Sequence, residues 1–137
     1  MLTKRSRIII DTNLWISYLI SKGFKRLDRL IFDDQAVLIF SSELIDEFVK
    51  VSKRKKFLKY FNSDDIKKLL LLFDSYGEII SVTSKISACR DSKDNFLLSL
   101  SVDGRADYLI TGDDDLLELK TFKQTRILKI SDFEKIL

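Results

Sequence analysis

The 137-residue chain has no histidine, no proline, one cysteine and four glycines. Without histidine there is no imidazole to activate a serine or cysteine nucleophile, and the nitrogen ligands of most zinc enzymes are missing. Carboxylate and metal chemistry are left as the main catalytic options. Cys89 cannot form an internal disulfide and has no histidine to activate it, which gives it a structural role. With so little proline and glycine, and no repeat or low-complexity segment, nothing marks a linker, and residues 1–137 are expected to form a single domain. No apolar run approaches the roughly 18 residues that cross a bilayer. The opening Met-Leu-Thr-Lys-Arg-Ser-Arg has the charge of a signal peptide, but only three isoleucines precede Asp11, so a soluble, cytoplasmic protein is expected.

Apolar residues make up 45% of the chain, enough for a core in a domain of this size, which buries roughly two thirds of its unfolded surface. Lysine and arginine total 24 against 21 acids, a net charge of +3. If several of the acids gather in one site, the remaining surface is more basic than this sum, which favours a polyanionic partner.

Short β-branched runs alternate with amphipathic stretches. Strands are predicted at residues 8–10, 36–40, 79–82, 108–110 and 127–130. Helices are predicted at residues 13–32 with a break near Gly23, 43–54, 64–75, 92–102, a turn near Leu116, and from Asp132 onward. This alternation implies an α/β fold with a parallel sheet covered on both faces.

Four stretches then set carboxylates at strand ends: Asp11-Thr12-Asn13, Ser42 to Glu47, Asp91 to Asp94, and Thr111-Gly112-Asp113. In an open α/β sheet such ends share one edge, and ligands bind where the strand order reverses. If the first and fourth strands are neighbours, Asp11 faces Asp113. On the helix after Ser42, its expected N-cap, Glu47 lies at the border of the apolar face formed by Leu44, Ile45, Phe48, Val49 and Val51, while Asp46 points away. Asp91 and Asp94 both fall on the stripe continuing through Leu98 and Ser101, with Asp94 nearer its middle; Asp91 suits a helix cap equally well. Converging acids repel unless a cation sits between them, and oxygen ligands of this kind suit Mg2+ or Mn2+.

These residues resemble the PIN-domain ribonucleases, in particular the toxin subunits of bacterial and archaeal toxin–antitoxin pairs. The resemblance rests on Ile10-Asp11-Thr12-Asn13, on residues 42–48 with Arg54-Lys55-Lys56-Phe57, on residues 89–95, and on residues 106–117, in that order and spacing. Ser92 and Ser42 stand where related sequences often carry proline. The resemblance implies a three-layer Rossmann-like domain with five parallel strands in the order 3-2-1-4-5. It places the acidic cluster on Asp11, Glu47, Asp94 and Asp113, with Asp115 as a further acid and Asn13 and Thr111 as polar support. It also implies metal-assisted hydrolysis of RNA, a homodimer and a cognate antitoxin. Thr111 could position a carboxylate or the attacking water, and Asn13 could hydrogen-bond Asp11. Outside the acids, the run Lys53, Arg54, Lys55 and Lys56 is the expected phosphate contact, while the neighbouring Phe57, Tyr60 and Phe61 are expected to pack inward.

Two other readings compete. A phospho-acceptor receiver needs an aspartate after the third strand and a lysine after the fifth, where this chain has Val82-Thr83-Ser84 and Ser131. A catalytically inert nucleic-acid-binding module on the same fold would normally have lost acids that this chain keeps.

Overall fold

A computed structural model describes residues 5–137; residues 1–4, part of the segment weighed above as a leader, lie outside the described residues. The elements run β1 (Ser6–Ile10), α1 (Thr12–Ser21), α2 (Lys25–Phe32), β2 (Ala36–Phe40), α3 (Ser42–Ser52), a 3-10 turn (Lys55–Phe57), α4 (Ser63–Tyr76), β3 (Gly77–Ile79), α5 (Ser92–Asp103), β4 (Tyr108–Ile110), α6 (Asp114–Leu117), β5 (Thr121–Phe122), β6 (Thr125–Leu128) and α7 (Ile130–Lys135). The sheet order is β3-β2-β1-β4-β6-β5, parallel throughout except for the antiparallel β5–β6 pair, with helices on both sides.

The expected five parallel strands are therefore corrected to six in a mixed sheet. The extra strand belongs to a hairpin in which Phe122 pairs with Thr125 across Lys123 and Gln124. Tight hairpins usually announce themselves by Asn-Gly or a similar pair that accepts positive φ. Here Lys123 adopts φ 53° without that signal. The last parallel strand ends at Leu128 rather than residue 130, because Ile130 opens α7.

The third strand is also corrected, from residues 79–82 to Gly77–Ile79. The Ile80 amide still donates to the Phe40 carbonyl at 2.7 Å, and then the chain leaves the sheet. Side chains on α5, spaced four residues apart, take over its amides. Asp103 accepts from Thr83 and Ser84, Ser99 from Ile86 (3.1 Å), and Asn95 from Cys89 (2.8 Å). A strand-like apolar alternation is thus satisfied by a helix face instead of a neighbouring strand.

Ile8, Ile9 and Ile10 are all buried, as expected of a central parallel strand with both faces covered. Trp15 packs against Phe73 and Phe40 at centroid distances of 4.7 and 6.3 Å, joining α1, α4 and β2. The α1–α2 break occurs where Lys22 and Gly23 turn to φ 61° and 112°. A side chain at position 23 would meet Asp28 Oδ2 at 2.5 Å, so glycine is required twice over. No described helix is long and apolar enough to cross a membrane.

Candidate active site

The register Ile10↔Ile110 brings the carboxyl ends of β1 and β4 level, and the chain leaves in opposite directions from β1 to β2 and β4. This is the switch point at which an α/β sheet opens a crevice. Asp11 stands one residue past β1, where its amide donates to the Ile110 carbonyl at 3.0 Å. Thr111 stands one residue past β4 and is fully buried. Its hydroxyl donates to Asp11 Oδ2 at 2.8 Å and accepts the Asp113 amide at 3.1 Å.

The second acid-bearing helix begins one residue earlier than expected. Ser41, not Ser42, is the N-cap of α3, its hydroxyl accepting the Leu44 amide at 3.1 Å. Leu44, Phe48 and Val51 are buried, Glu47 is half-buried beside them, and Asp46 is exposed. On α5 the two aspartates part company. Asp91 is exposed and is the N-cap, its carboxylate accepting the Lys93 amide at 2.8 Å, so it takes the capping role that was one of its two expected ones, while still lining the cleft beside Asp94. Asp94 is 5% exposed, and its Oδ2 has no hydrogen-bond partner.

A cleft of about 520 Å³ is lined by Asp11, Glu47, Asp94 and Asp113, together with Asp91 and Asn13. Carboxylate oxygens of Asp94, Asp113 and Asp115 all lie within 4.8 Å of one another. Asp113 also caps α6, its Oδ1 accepting the Asp115 and Leu116 amides at 2.9 and 3.2 Å. Asn13 is exposed on the cleft wall; among the described residues its side chain makes no hydrogen bond to Asp11, and Thr111 fills that role.

Crowding shifts the acids' titration. Burial, then repulsion from Asp113, Asp91 and Asp11, pushes Asp94 up to about 6. Burial also raises Asp11, opposed chiefly by the Thr111 hydroxyl. Burial and the surrounding Asp94, Asp115, Asp113 and Asp91 raise the Cys89 thiol, the reverse of what a nucleophilic cysteine needs.

The donor set fits a hard divalent cation. Asp94, Asp113 and Asp115 offer carboxylate oxygens gathered within reach of one centre, Asp11 and Glu47 line the same cleft outside that group, and the unpaired Asp94 oxygen would carry a large desolvation cost without a positive partner. The surroundings supply basic groups as well. Arg54 and Lys93 line the same cleft, whereas Lys53, Lys55 and Lys56 are exposed outside it. Lys93 was not singled out by the sequence; its signal was its place between two candidate acids. Of the aromatics expected to pack inward, Phe61 is buried and Phe57 half-buried against it (centroids 5.8 Å apart), but Tyr60 is exposed.

Comparison with known families agrees with this geometry: the PIN domain profile matches residues 7–115. The chain belongs to the PIN-domain family. It is also 34% identical over 130 residues to an uncharacterized protein of Methanocaldococcus jannaschii, an alignment covering 92% of this chain and 81% of the relative. PIN domains are generally nucleases that use divalent metals, and the matched segment contains every acid described here.

Proposed function

We propose that this PIN domain is a metal-dependent endoribonuclease, a soluble, cytoplasmic single-domain protein that serves as the toxin of a toxin–antitoxin pair. The observation that carries the nuclease reading is the meeting of Asp11, Glu47, Asp94 and Asp113 on one cleft, with an unpaired carboxylate oxygen on Asp94. In this reading Asp11, Asp94 and Asp113 hold Mg2+ or Mn2+, and Glu47 acts directly or through water. A bound divalent ion supplies positive charge against the phosphate and lowers the pKa of a coordinated water toward neutrality.

The chain's own residues do the positioning. Thr111 fixes the Asp11 carboxylate by donation and the Asp113 loop by accepting its amide. The Asp115 and Leu116 amides hold Asp113 in one orientation. Burial of Asp94 keeps bulk water off one oxygen of the acid set. Arg54 and Lys93 on the walls, with Lys53, Lys55 and Lys56 beyond, supply the attraction for an RNA backbone.

The toxin role, the cognate antitoxin and the homodimer are carried by the sequence resemblance. Phe32 and Leu71, 57% and 66% exposed, offer apolar surface for such a contact. The deciding experiment is cleavage of a panel of structured and unstructured RNAs, with matching DNAs, in Mg2+, Mn2+ or chelator. Wild type should cleave RNA only with metal. Asp11→Asn and Asp94→Asn should each lose more than the roughly 10–100-fold typical of an outer-shell partner. Cleavage indifferent to both substitutions would sink the assignment.

A further inference from the structure

Among the described residues, Arg90 is the cation that pairs with an acid of the cluster. Its Nη2 lies 3.4 Å from both carboxylate oxygens of Asp115, whose carboxylate groups with those of Asp94 and Asp113. The guanidinium therefore stands at the solvent edge of the acid set; Arg90 and Asp115 do not wall the cleft themselves, but Asp91, next to Arg90 in the chain, and Asp113, two residues before Asp115, do.

The chain on either side of Arg90 is pinned. The Asn95 side chain pairs with the Cys89 main chain as a second peptide group would, accepting its amide at 2.8 Å and donating to its carbonyl at 2.9 Å. On the other side, Asp91 is fixed by its cap to the Lys93 amide. The Arg90 side chain itself is 90% exposed, and its pair with Asp115 is long. Exposed ion pairs of this kind are held weakly, and an arginine fork matches two phosphate oxygens better than it matches a distant carboxylate. A fixed base with a loosely held head suits a group that leaves an acid to grip an incoming phosphodiester.

We propose that Arg90 is a substrate-binding residue of this site, exchanging Asp115 for a phosphodiester of single-stranded RNA, with Asn95 as the positioning residue that holds it at the rim. This deepens the nuclease reading and rests on it. The same geometry makes Arg90 a competitor of any cation for Asp115, so its removal should not weaken metal binding.

The test uses the full chain and one fluorescent single-stranded RNA. It measures affinity by anisotropy in chelator, KM and kcat in Mn2+, and Mn2+ affinity by electron paramagnetic resonance. Arg90→Ala should weaken RNA affinity and raise KM by roughly tenfold or more, with Arg90→Lys intermediate. Mn2+ affinity should be unchanged or tighter. Asn95→Ala, checked for folding by circular dichroism, should move RNA affinity in the same direction. Arg126→Ala is the control, since Arg126 lies level with Tyr108 at the opposite end of β4. Equal RNA affinity for wild type and Arg90→Ala overturns the Arg90 assignment whether or not the wild type cleaves. Loss of Mn2+ affinity in Arg90→Ala overturns it as well, because Arg90 would then be supporting the acids. Failure of the wild type to cleave any RNA, with affinity still dependent on Arg90, overturns the nuclease reading alone.

Discussion

Thr111 donates its hydroxyl proton to Asp11 across 100 residues of sequence, at 2.8 Å, while the same oxygen accepts the Asp113 amide. One buried hydroxyl thus sets the relative position of two acids that arrive from different strands. Replacing it with valine keeps the shape but leaves Asp11 and the Asp113 amide each short of a partner. Thr111→Val should lose about 1–3 kcal/mol of stability in denaturant titration. It should also lose roughly 10–100-fold in cleavage rate. Thr111→Ser should restore most of both, and a valine variant equal to wild type would show that the hydroxyl is incidental.

Asp94 makes the cation-free protein sensitive to pH in a defined direction. Its carboxyl titrates at about 6 in the fold against 3.8 when unperturbed, so the folded state holds the proton longer. Stability from this group is complete below about pH 4 and is lost as pH rises through about 6, by an amount on the order of 2–3 kcal/mol. In chelator, Asp94→Asn should therefore melt above wild type at pH 7.5, and the gap should shrink toward pH 4. Saturating Mg2+ or Mn2+ should raise the wild-type melting temperature and leave that of the variant almost unmoved.

The basic run predicts a salt signature. Changing Lys53, Arg54, Lys55 and Lys56 together to glutamine removes up to four phosphate contacts. The log–log salt dependence of single-strand binding should then flatten by up to about 3, at about 0.7 per contact. Arg54 alone of the four lines the cleft, so Arg54→Gln should carry most of the loss in cleavage, and the lysine changes most of the loss in bulk affinity. Equal effects on both readouts from all four would place the run outside the reaction.

Asp103 anchors the far end of the segment that replaces a longer third strand. Hydrogen bonds from Ser84, through hydroxyl and amide, and from the Thr83 amide hold its carboxyl below the usual range. A depressed folded value contributes stability above the unfolded pKa that is lost as pH falls through the folded one. Asp103→Ala should speed hydrogen exchange at the Thr83 and Ser84 amides without changing that at Ile9 or Leu109. Lowering the pH of the wild type should weaken the same two amides first.

The strands and helices that position the site were largely legible because they follow simple patterns. The Ile8–Ile10 run can only be a strand buried on both faces, and the 3.6-residue period separates Glu47 from Asp46. The edges were less legible. Lys123 and Gln124 turn a hairpin with no glycine or asparagine to signal it, and Ile80 and Val82 alternate like a strand yet are followed by amides that bind helix side chains. In the site, Asp94 could be separated from Asp91 only by degree. Both suit a helix start, and burial, which the tertiary packing decides, makes one a cap and leaves the other with an unpaired oxygen. Arg90 lies within residues 89–95, which carry part of the family resemblance, but no role for it was legible there, since its contact with Asp115, 25 residues away, is made only by the fold.

The sheet's two borders are only three residues long at β3 and two at β5. On β3, Glu78 is tied to Arg7 of β1 by paired contacts of 3.0 and 3.1 Å. An open strand edge is the template on which other chains polymerise, and short, charged edges deny it the length to do so. By handing the amides of Thr83, Ser84, Ile86 and Cys89 to Asp103, Ser99 and Asn95, the fold spends on a helix backbone groups that would otherwise recruit a foreign strand. The same substitution that loosens this segment should therefore leave the protein folded but prone to fibrils at high concentration.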